Sequence, residues 1–351
     1  MVNLVFTPAI LLLTFTTPIS AQLKLHAANL SSNNYAVASI YFLFFSLFML
    51  VFDLPLSYYS GFVLEHRFGL SNQTLGAWIV DTAKKSVLSF VLSLLLLLAL
   101  YALIWTYPEN WWVYAWAAYA VVSYVMGKIF PVFIIPMFYK YGNVEDEVLK
   151  TKIFSMAEKQ GLPVENVYSL NLSKTTKKAN AAFMGIGKTK RVVLSDTLIE
   201  NFTHEEIETV VAHELGHFKH KDIWKQLFVG LVISFIGFWV AFKVMGPLSV
   251  RFGFEGIWDI SALPLLFFVF YLFSLILTPA QNGFSRWIER QADEFALRVF
   301  PYPKVFISCM TKLAEVNLSN PKPGALYEWF FFDHPSISKR IQMAEKWGAS
   351  A

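Results

Sequence analysis

The sequence predicts a mainly α, polytopic α-helical membrane protein of five or six spans with a small cytoplasmic α/β domain. Three observations carry that reading. Hydrophobic residues make up 56% of the 351 residues and charged residues 15%, against about 25% charge in soluble domains. Phe alone occurs 34 times, more apolar surface than a water-soluble body of this size can bury. The apolar residues fall into runs of spanning length, and a long polar stretch, 140–225, separates the first runs from the last two.

Taken in order, 2–20 is apolar but short, and Ile19-Ser20-Ala21 resembles a signal-peptidase site. It lacks a basic residue before its apolar run, so a cleaved signal and a retained helix both stay open. On either reading 21–35 is non-cytoplasmic, which makes 1–35 the first segment. The N-terminal membrane helices occupy 36–139, with spans at 36–56, 86–105 and 112–139. Segment 140–225 is the α/β domain, 226–283 a membrane helix pair (226–245 and 262–283), and 284–351 a C-terminal polar part.

Orientation follows from Lys and Arg. Segment 65–85 carries Arg67, Lys84 and Lys85, and 140–225 is rich in both residues. Segment 106–111 has none and 246–261 has only Arg251. Alternating sides place both basic loops and the C-terminus on the cytoplasmic face. That face belongs to the bacterial inner membrane or, in a eukaryote, the endoplasmic reticulum. The net charge of +4 is modest and no basic cluster suggests a nucleic-acid partner. Cys309 is the only cysteine, which excludes an intrachain disulfide and a Cys-based metal site; it reads as core filler.

Within 140–225, helical spacing over 148–160 ends at Gly161. Residues 166–172 alternate like a strand, and 181–187 with 191–195 read as a hairpin around Gly187-Lys188-Thr189-Lys190. Thr203 then caps a helix that has Glu205 and Glu206 in its first turn and runs through His213-Glu214-Leu215-Gly216-His217. Histidines four apart share one helical face, where two imidazoles can take one tetrahedral zinc. Glu214 projects beside them, placed to take a proton from water at the metal. Val210, Val211, Ala212 and Leu215 mark the opposite, buried side of this helix. His220 lies in the basic run Lys219-His220-Lys221 and, like His204, reads as solvent-exposed.

A catalytic zinc needs a third protein ligand and an open position. Glu289 in Ser285-Arg286-Trp287-Ile288-Glu289-Arg290-Gln291-Ala292-Asp293-Glu294 is the candidate, directly after the last span. Asp293, one turn on, can accept the outer N–H of a ligand histidine. By spacing alone an ordinary charged helix explains this segment equally well.

The motifs together are similar to those of the integral-membrane zinc metalloproteases that include the CAAX prenyl proteases of the farnesylated-protein-converting type. The bacterial heat-shock membrane protease HtpX is a more distant relative. The resemblance rests, in order, on Leu54-Pro55-Leu56-Ser57-Tyr58-Tyr59, Phe62-Val63-Leu64-Glu65, Phe68-Gly69-Leu70 and Gln73-Thr74-Leu75. It continues through Asn180-Ala181-Ala182-Phe183, Arg191 to Leu198, Glu289 with Gln291-Ala292-Asp293, and His334-Pro335 with Arg340.

The resemblance implies a zincin-like domain holding one zinc ion on His213, His217 and Glu289, with Glu214 as general base. It implies that Asn180, Ala181 and Ala182 belong to the strand that pairs with substrate, that His334 donates to the oxyanion, and that Arg340 helps to place His334 or the substrate. It also implies a peptide or protein substrate, prenylated or not, taken at the lipid bilayer. Two departures stand out. Segment 2–20 replaces two further N-terminal helices, and the stretch between Asp196 and His213 is short, as in bacterial members. Clipping near a prenylated C-terminus and quality control of misfolded membrane proteins both stay open as purposes. A third reading, a non-proteolytic zinc scaffold or transporter, has no use for Glu214.

Overall fold

The computed structural model describes residues 2–162, 164–184 and 191–350. The chain divides into two compact units. Unit 1 comprises Met1–Leu64, Leu75–Ser123 and Val229–Ile276; unit 2 comprises Glu65–Thr74, Tyr124–Phe228 and Leu277–Ala351.

The chain begins with α1 (Val2–Thr16) and α2 (Ile19–Leu30), bent by 65° at Thr17–Pro18. Where 21–35 reads in the sequence as a connecting segment, most of it is thus a second helix. Next come α3 (Asn34–Tyr58), a π-helical turn (Tyr59–Leu64), the short α4 (Glu65–Arg67), α5 (Leu75–Thr106) and α6 (Trp111–Ile129). Pro55 lies just before the π-helical turn, where a missing N–H already breaks the ladder. Among the described residues, five helical stretches are long and apolar enough to cross a membrane: Asn34–Arg67, Leu75–Thr106, Trp111–Met137, Asp222–Arg251 and Ile260–Val299. The α1–α2 pair would make a sixth if it counts as one broken span. Lys84 and Lys85, expected in a loop, lie inside α5.

In unit 1 the helices are apolar on all sides, as a lipid solvent permits. Only a narrow core is buried, with Tyr41, Tyr101, Ile104, Trp111, Met245 and Leu263 at its centre. Val87, Leu95, Val121 and Ile276 point outward. Within that core Ser20 Oγ lies 2.6 Å from the Tyr41 hydroxyl and 2.6 Å from the Ser261 carbonyl.

Unit 2 holds the sheet β1 (Tyr141–Asn143), β2 (Asn166–Leu170), β3 (Ala181–Met184) and β4 (Arg191–Ser195), in the order β1-β2-β4-β3. β2 and β4 are parallel; β1 and β3 are antiparallel edges. The expected hairpin is present as β3 and β4, while its turn, 187–190, lies outside the described residues. Helices α7 (Glu147–Lys159), α8 (Asp196–Asn201) and α9 (His204–Lys219) belong to this unit. They are followed by α10 (Asp222–Arg251), α11 (Leu263–Val299), α12 (Pro303–Val316), α13 (Ala325–Phe331) and α14 (Ile337–Ser350).

Thr203 and Glu206 form a reciprocal capping box that starts α9. Ile207, Val211, Ala212 and Leu215 then bury one face of α9 against Leu149, Ile153, Val192, Leu194, Phe306 and Cys309. That packing turns His213, Glu214 and His217 to the other side. Cys309 is fully buried, and desolvation pushes its thiol up to about 12, in keeping with core filler.

Candidate metal centre

Two helices build the site. α9 contributes His213, Glu214 and His217; α11 contributes Glu289 and, one turn on, Asp293. They meet closely because position 216 is glycine: a Cβ there would sit 3.0 Å from the Ala292 Cα and 3.2 Å from its carbonyl oxygen. Gly216, an unremarked member of the histidine motif in the sequence, is what admits the second helix.

His213 Nε2 lies 3.2 Å from His217 Nε2 and 3.2 Å from Glu289 Oε2. His217 Nε2 lies 3.3 Å from Glu289 Oε1. The outer nitrogens are already committed. His213 Nδ1 is 2.8 Å from Asp293 Oδ1, and His217 Nδ1 is 3.0 Å from Asp222 Oδ2. Those carboxylates take the ring N–H, so each Nε2 presents its lone pair inward. Two lone pairs and a carboxylate thus converge in a buried place, which is costly unless a cation joins them. Glu289 Oε2 is buried and has no hydrogen-bond partner. A tetrahedron with bonds of about 2.0–2.1 Å has edges of about 3.3 Å, close to the His213–His217 separation and to the distance from each imidazole to its nearer Glu289 oxygen. His213, His217 and Glu289 therefore fit one metal ion.

The electrostatics agree. Burial alone pushes the His213 pKa down, but the hydrogen bond to Asp293 and the Glu289 carboxylate beside it outweigh burial and raise it to about 9. His217 is also raised, with the adjacent Glu289 carboxylate overcoming burial. The cage strongly favours positive charge at its centre.

Around the cage, Glu214 Oε2 accepts from the Phe183 backbone N–H at 3.3 Å, joining α9 to the edge strand. In the β3–β4 register Ala181 faces Leu194 and Phe183 faces Val192. The Ser195 N–H to Asn180 carbonyl bond of 2.9 Å fixes which rungs are hydrogen-bonded. By alternation the N–H and C=O groups of Ala181 and Phe183 point to the open edge, and those of Ala182 point to β4. Asn180 stands just before the strand; its side-chain oxygen accepts from the Ala181 N–H at 2.9 Å. A cavity of about 170 Å³ lies along this edge, lined by Phe183, Glu214, His217, Phe218, Asp222, Ile223, Gln226 and Glu289.

His334 reaches the cage from the strap between α13 and α14: its Nε2 is 3.4 Å from Glu289 Oε2 and its Nδ1 2.8 Å from Asp333 Oδ1. Its side chain is half-exposed, unlike the ligands. Arg340 differs from expectation. Instead of lying toward His334 or the substrate, its guanidinium grips Asp293 through Nε (2.8 Å) and Nη2 (2.5 Å). Burial beside a buried carboxylate leaves it no reach outward. His220 differs too: it packs edge-on against Phe295 with Nδ1 buried, its pKa lowered chiefly by burial, and is not exposed. His204 pairs with Asp146 at 2.7 Å, half in solvent.

Asp222 was not legible as a site residue. It follows Lys221, whose φ of 57° ends α9 and turns the chain back so that Asp222 meets His217. A left-handed lysine leaves no mark in the sequence, although an acidic residue five positions beyond the second histidine was a clue.

Fold and cage together define a multi-pass membrane metalloprotease. The sequence profile of peptidase family M48 matches residues 143–348. That of the CAAX prenyl protease N-terminal region, described as five membrane helices, matches residues 1–140. The chain belongs to peptidase family M48. It is 33% identical over 306 residues to the uncharacterized metalloprotease YhfN of Bacillus subtilis, covering 86% of this chain and 71% of that one. It is 32% identical over 307 residues to CAAX prenyl protease 1 of Saccharomyces cerevisiae, covering 82% and 68%. The crystal structure of S. mikatae Ste24p superposes with a TM-score of 0.84 at 26% identity, over 92% of this chain and 80% of that one. Over 1–140 this chain has three candidate spans and the bent α1–α2 pair.

Proposed function

We propose that this chain is a zinc metalloendopeptidase that cleaves peptide bonds near a prenylated C-terminus, with its catalytic unit on the cytoplasmic face. The observation that carries the reading is the buried Glu289 carboxylate, one oxygen 3.2 Å from His213 Nε2 and the other 3.3 Å from His217 Nε2, beside an open strand edge. Two imidazoles and one carboxylate are a donor set suited to catalytic zinc. His213, His217 and Glu289 would hold the ion, which supplies Lewis-acid chemistry when bound.

The other residues divide the work. The C=O groups of Ala181 and Phe183, on the open edge, accept from the substrate backbone as an added strand, with Asn180 and Ala182 fixing the strand's register. Glu214, tethered to that strand at Phe183, takes a proton from the attacking water and returns it to the leaving amine. His334, when both ring nitrogens carry a proton, donates from Nε2 to the oxygen that gains charge as the amide carbon becomes tetrahedral, while Nδ1 donates to Asp333. Asp293 and Asp222 hold the ligand histidines in tautomer and orientation, and Arg340 holds Asp293. Sidedness is supported by the basic residues of unit 2 and by the absence of Lys and Arg from 106–111.

The similarity to CAAX prenyl proteases favours a prenylated substrate; the similarity to a bacterial metalloprotease keeps membrane-protein quality control as the second reading. The test is cleavage by detergent-solubilised protein of a farnesylated C-terminal peptide and of its unmodified twin. Glu214→Gln and chelated protein serve as controls. Glu214→Gln should keep its metal yet lose about 10²–10⁴-fold in kcat. Full activity in that variant overturns the mechanism. Equal cleavage of the two peptides favours quality control. Elemental analysis of the purified chain decides zinc.

A further inference from the structure

α13 (Ala325–Phe331) is built inside out for a helix in water. Its one charged residue, Glu328, is 5% exposed. It accepts from the Ser336 N–H at 3.1 Å and pairs with Lys339 at 2.9 Å. Its large apolar residues face away from the protein: Leu326 is 82% exposed and Trp329 55%, with Tyr327 and Phe331 also exposed. A surface helix in water shows the reverse pattern. An aromatic patch of this kind belongs at a membrane–water boundary, where rings with a polar tip are enriched.

The place of α13 fits. About 20 residues cross the hydrocarbon layer, so a span starting near Ile260 leaves it near residue 280. Just past that point, Asn282 Nδ2 donates to the Phe330 carbonyl at 2.6 Å. Arg286, one turn further, donates to the carbonyls of Glu328 (3.1 Å), Trp329 (3.3 Å) and Phe332 (2.5 Å). α13 is therefore pinned by its backbone to the part of α11 just past that point, with exposed Trp287 beside the same arginine.

We propose that α13 lies in the interfacial layer of the bilayer with Leu326, Tyr327, Trp329 and Phe331 toward lipid. The membrane thereby steadies the strap that carries His334, two residues past Phe332. His334 is half-exposed and held by its neighbour Asp333, so its position depends on where the strap is seated.

Nitroxide labels at Leu326→Cys and Trp329→Cys, in lipid nanodiscs, test the seating. Buried Cys309 does not compete for the reagent. Glu147→Cys on α7, whose native side chain is largely in solvent, is the water reference. The expected result is access to dissolved oxygen and exclusion of a water-soluble nickel complex at 326 and 329. Nickel access equal to that at 147 overturns the proposal. So does exclusion of both reagents, which would mean a protein cover such as a second copy. Loss of oxygen access only on adding a farnesylated peptide would make the patch a substrate groove and overturn it too. None of these readouts needs peptidase activity, so they fail independently of the proposed function. For the positioning role, Trp329→Asp should lower kcat about fivefold or more in nanodiscs, with metal content and the KM of an unprenylated peptide unchanged. An unchanged kcat removes the positioning role.

Discussion

The two histidines of the cage are held by similar chemistry in different surroundings. His213 is backed by Asp293 and then Arg340, and all three are nearly closed off from solvent. His217 is backed by Asp222 and then Lys225, whose ammonium lies 2.8 Å from Asp222 Oδ1, about a third exposed, and 5.3 Å from the Trp287 ring centroid. Each arm runs imidazole, carboxylate, cation. The inner arm ends on a planar, two-pronged guanidinium locked in place; the outer one ends on a flexible ammonium in reach of water. The inner arm is thus framework as well as ligand support, joining α9, α11 and α14. The outer arm borders the cavity along the β3 edge, where Asp222 and His217 form part of the wall.

If that contrast is right, the largest effect comes from cutting the inner arm at its cation. Arg340→Ala leaves the Asp293 carboxylate buried without its partner, and breaking a buried pair costs about 3–5 kcal/mol. Chemical denaturation of the solubilised protein should show a loss of that size. A loss below about 1 kcal/mol would mean that the inner arm is no better buried than a surface pair. Next come the carboxylates. Removing the partner behind a metal-bound histidine costs about 10–100-fold in metal affinity. Asp293→Asn should fall at the upper end and Asp222→Asn at the lower. Equal losses in a chelator competition would erase the distinction between the arms.

Much of the cage could be read from spacing, because its parts are local. His213 and His217 are one turn apart on one helix, and so are Glu289 and Asp293. The sequence also exposes the spans, since the period and length of apolar runs are local properties. What it does not expose is whatever depends on two distant segments meeting. Asp222 enters through a single left-handed residue, Lys221. Arg340 needs the register of α14 against α11, and without it the resemblance alone pointed the side chain at His334 or the substrate. Segment 325–331 drew no attention because it is too short to show a period. Its meaning lies in which way Glu328 points.

A smaller effect separates the arms by pH. In chelated protein the His213 pKa is raised from 6.5 to about 9. Its contribution to stability is therefore complete below pH 6.5 and is lost as pH rises through about 9. A metal must displace that proton, so metal affinity rises over the same window. The gap in Tm between metal-loaded and chelated protein should widen from pH 6.5 to 9. Asp293→Asn removes a hydrogen bond that raises the His213 pKa, and should shift the window downward more than Asp222→Asn does. A gap independent of pH would remove proton displacement at His213 from the account.

The smallest effect belongs to Lys225. Its pair with Asp222 is partly open to water, and such pairs contribute about 0–1 kcal/mol. Lys225→Met keeps most of the stem that packs near Trp287 while deleting the charge. Asp222 still accepts from His217, and water can reach the oxygen that the ammonium leaves. Metal affinity should then fall by no more than about fivefold, the equivalent of about 1 kcal/mol. High salt should produce part of the same loss in the unmodified chain, because exposed pairs are screened. A loss for Lys225→Met matching that for Asp222→Asn, and insensitive to salt, would show that the outer arm is as rigid and as closed to water as the inner one.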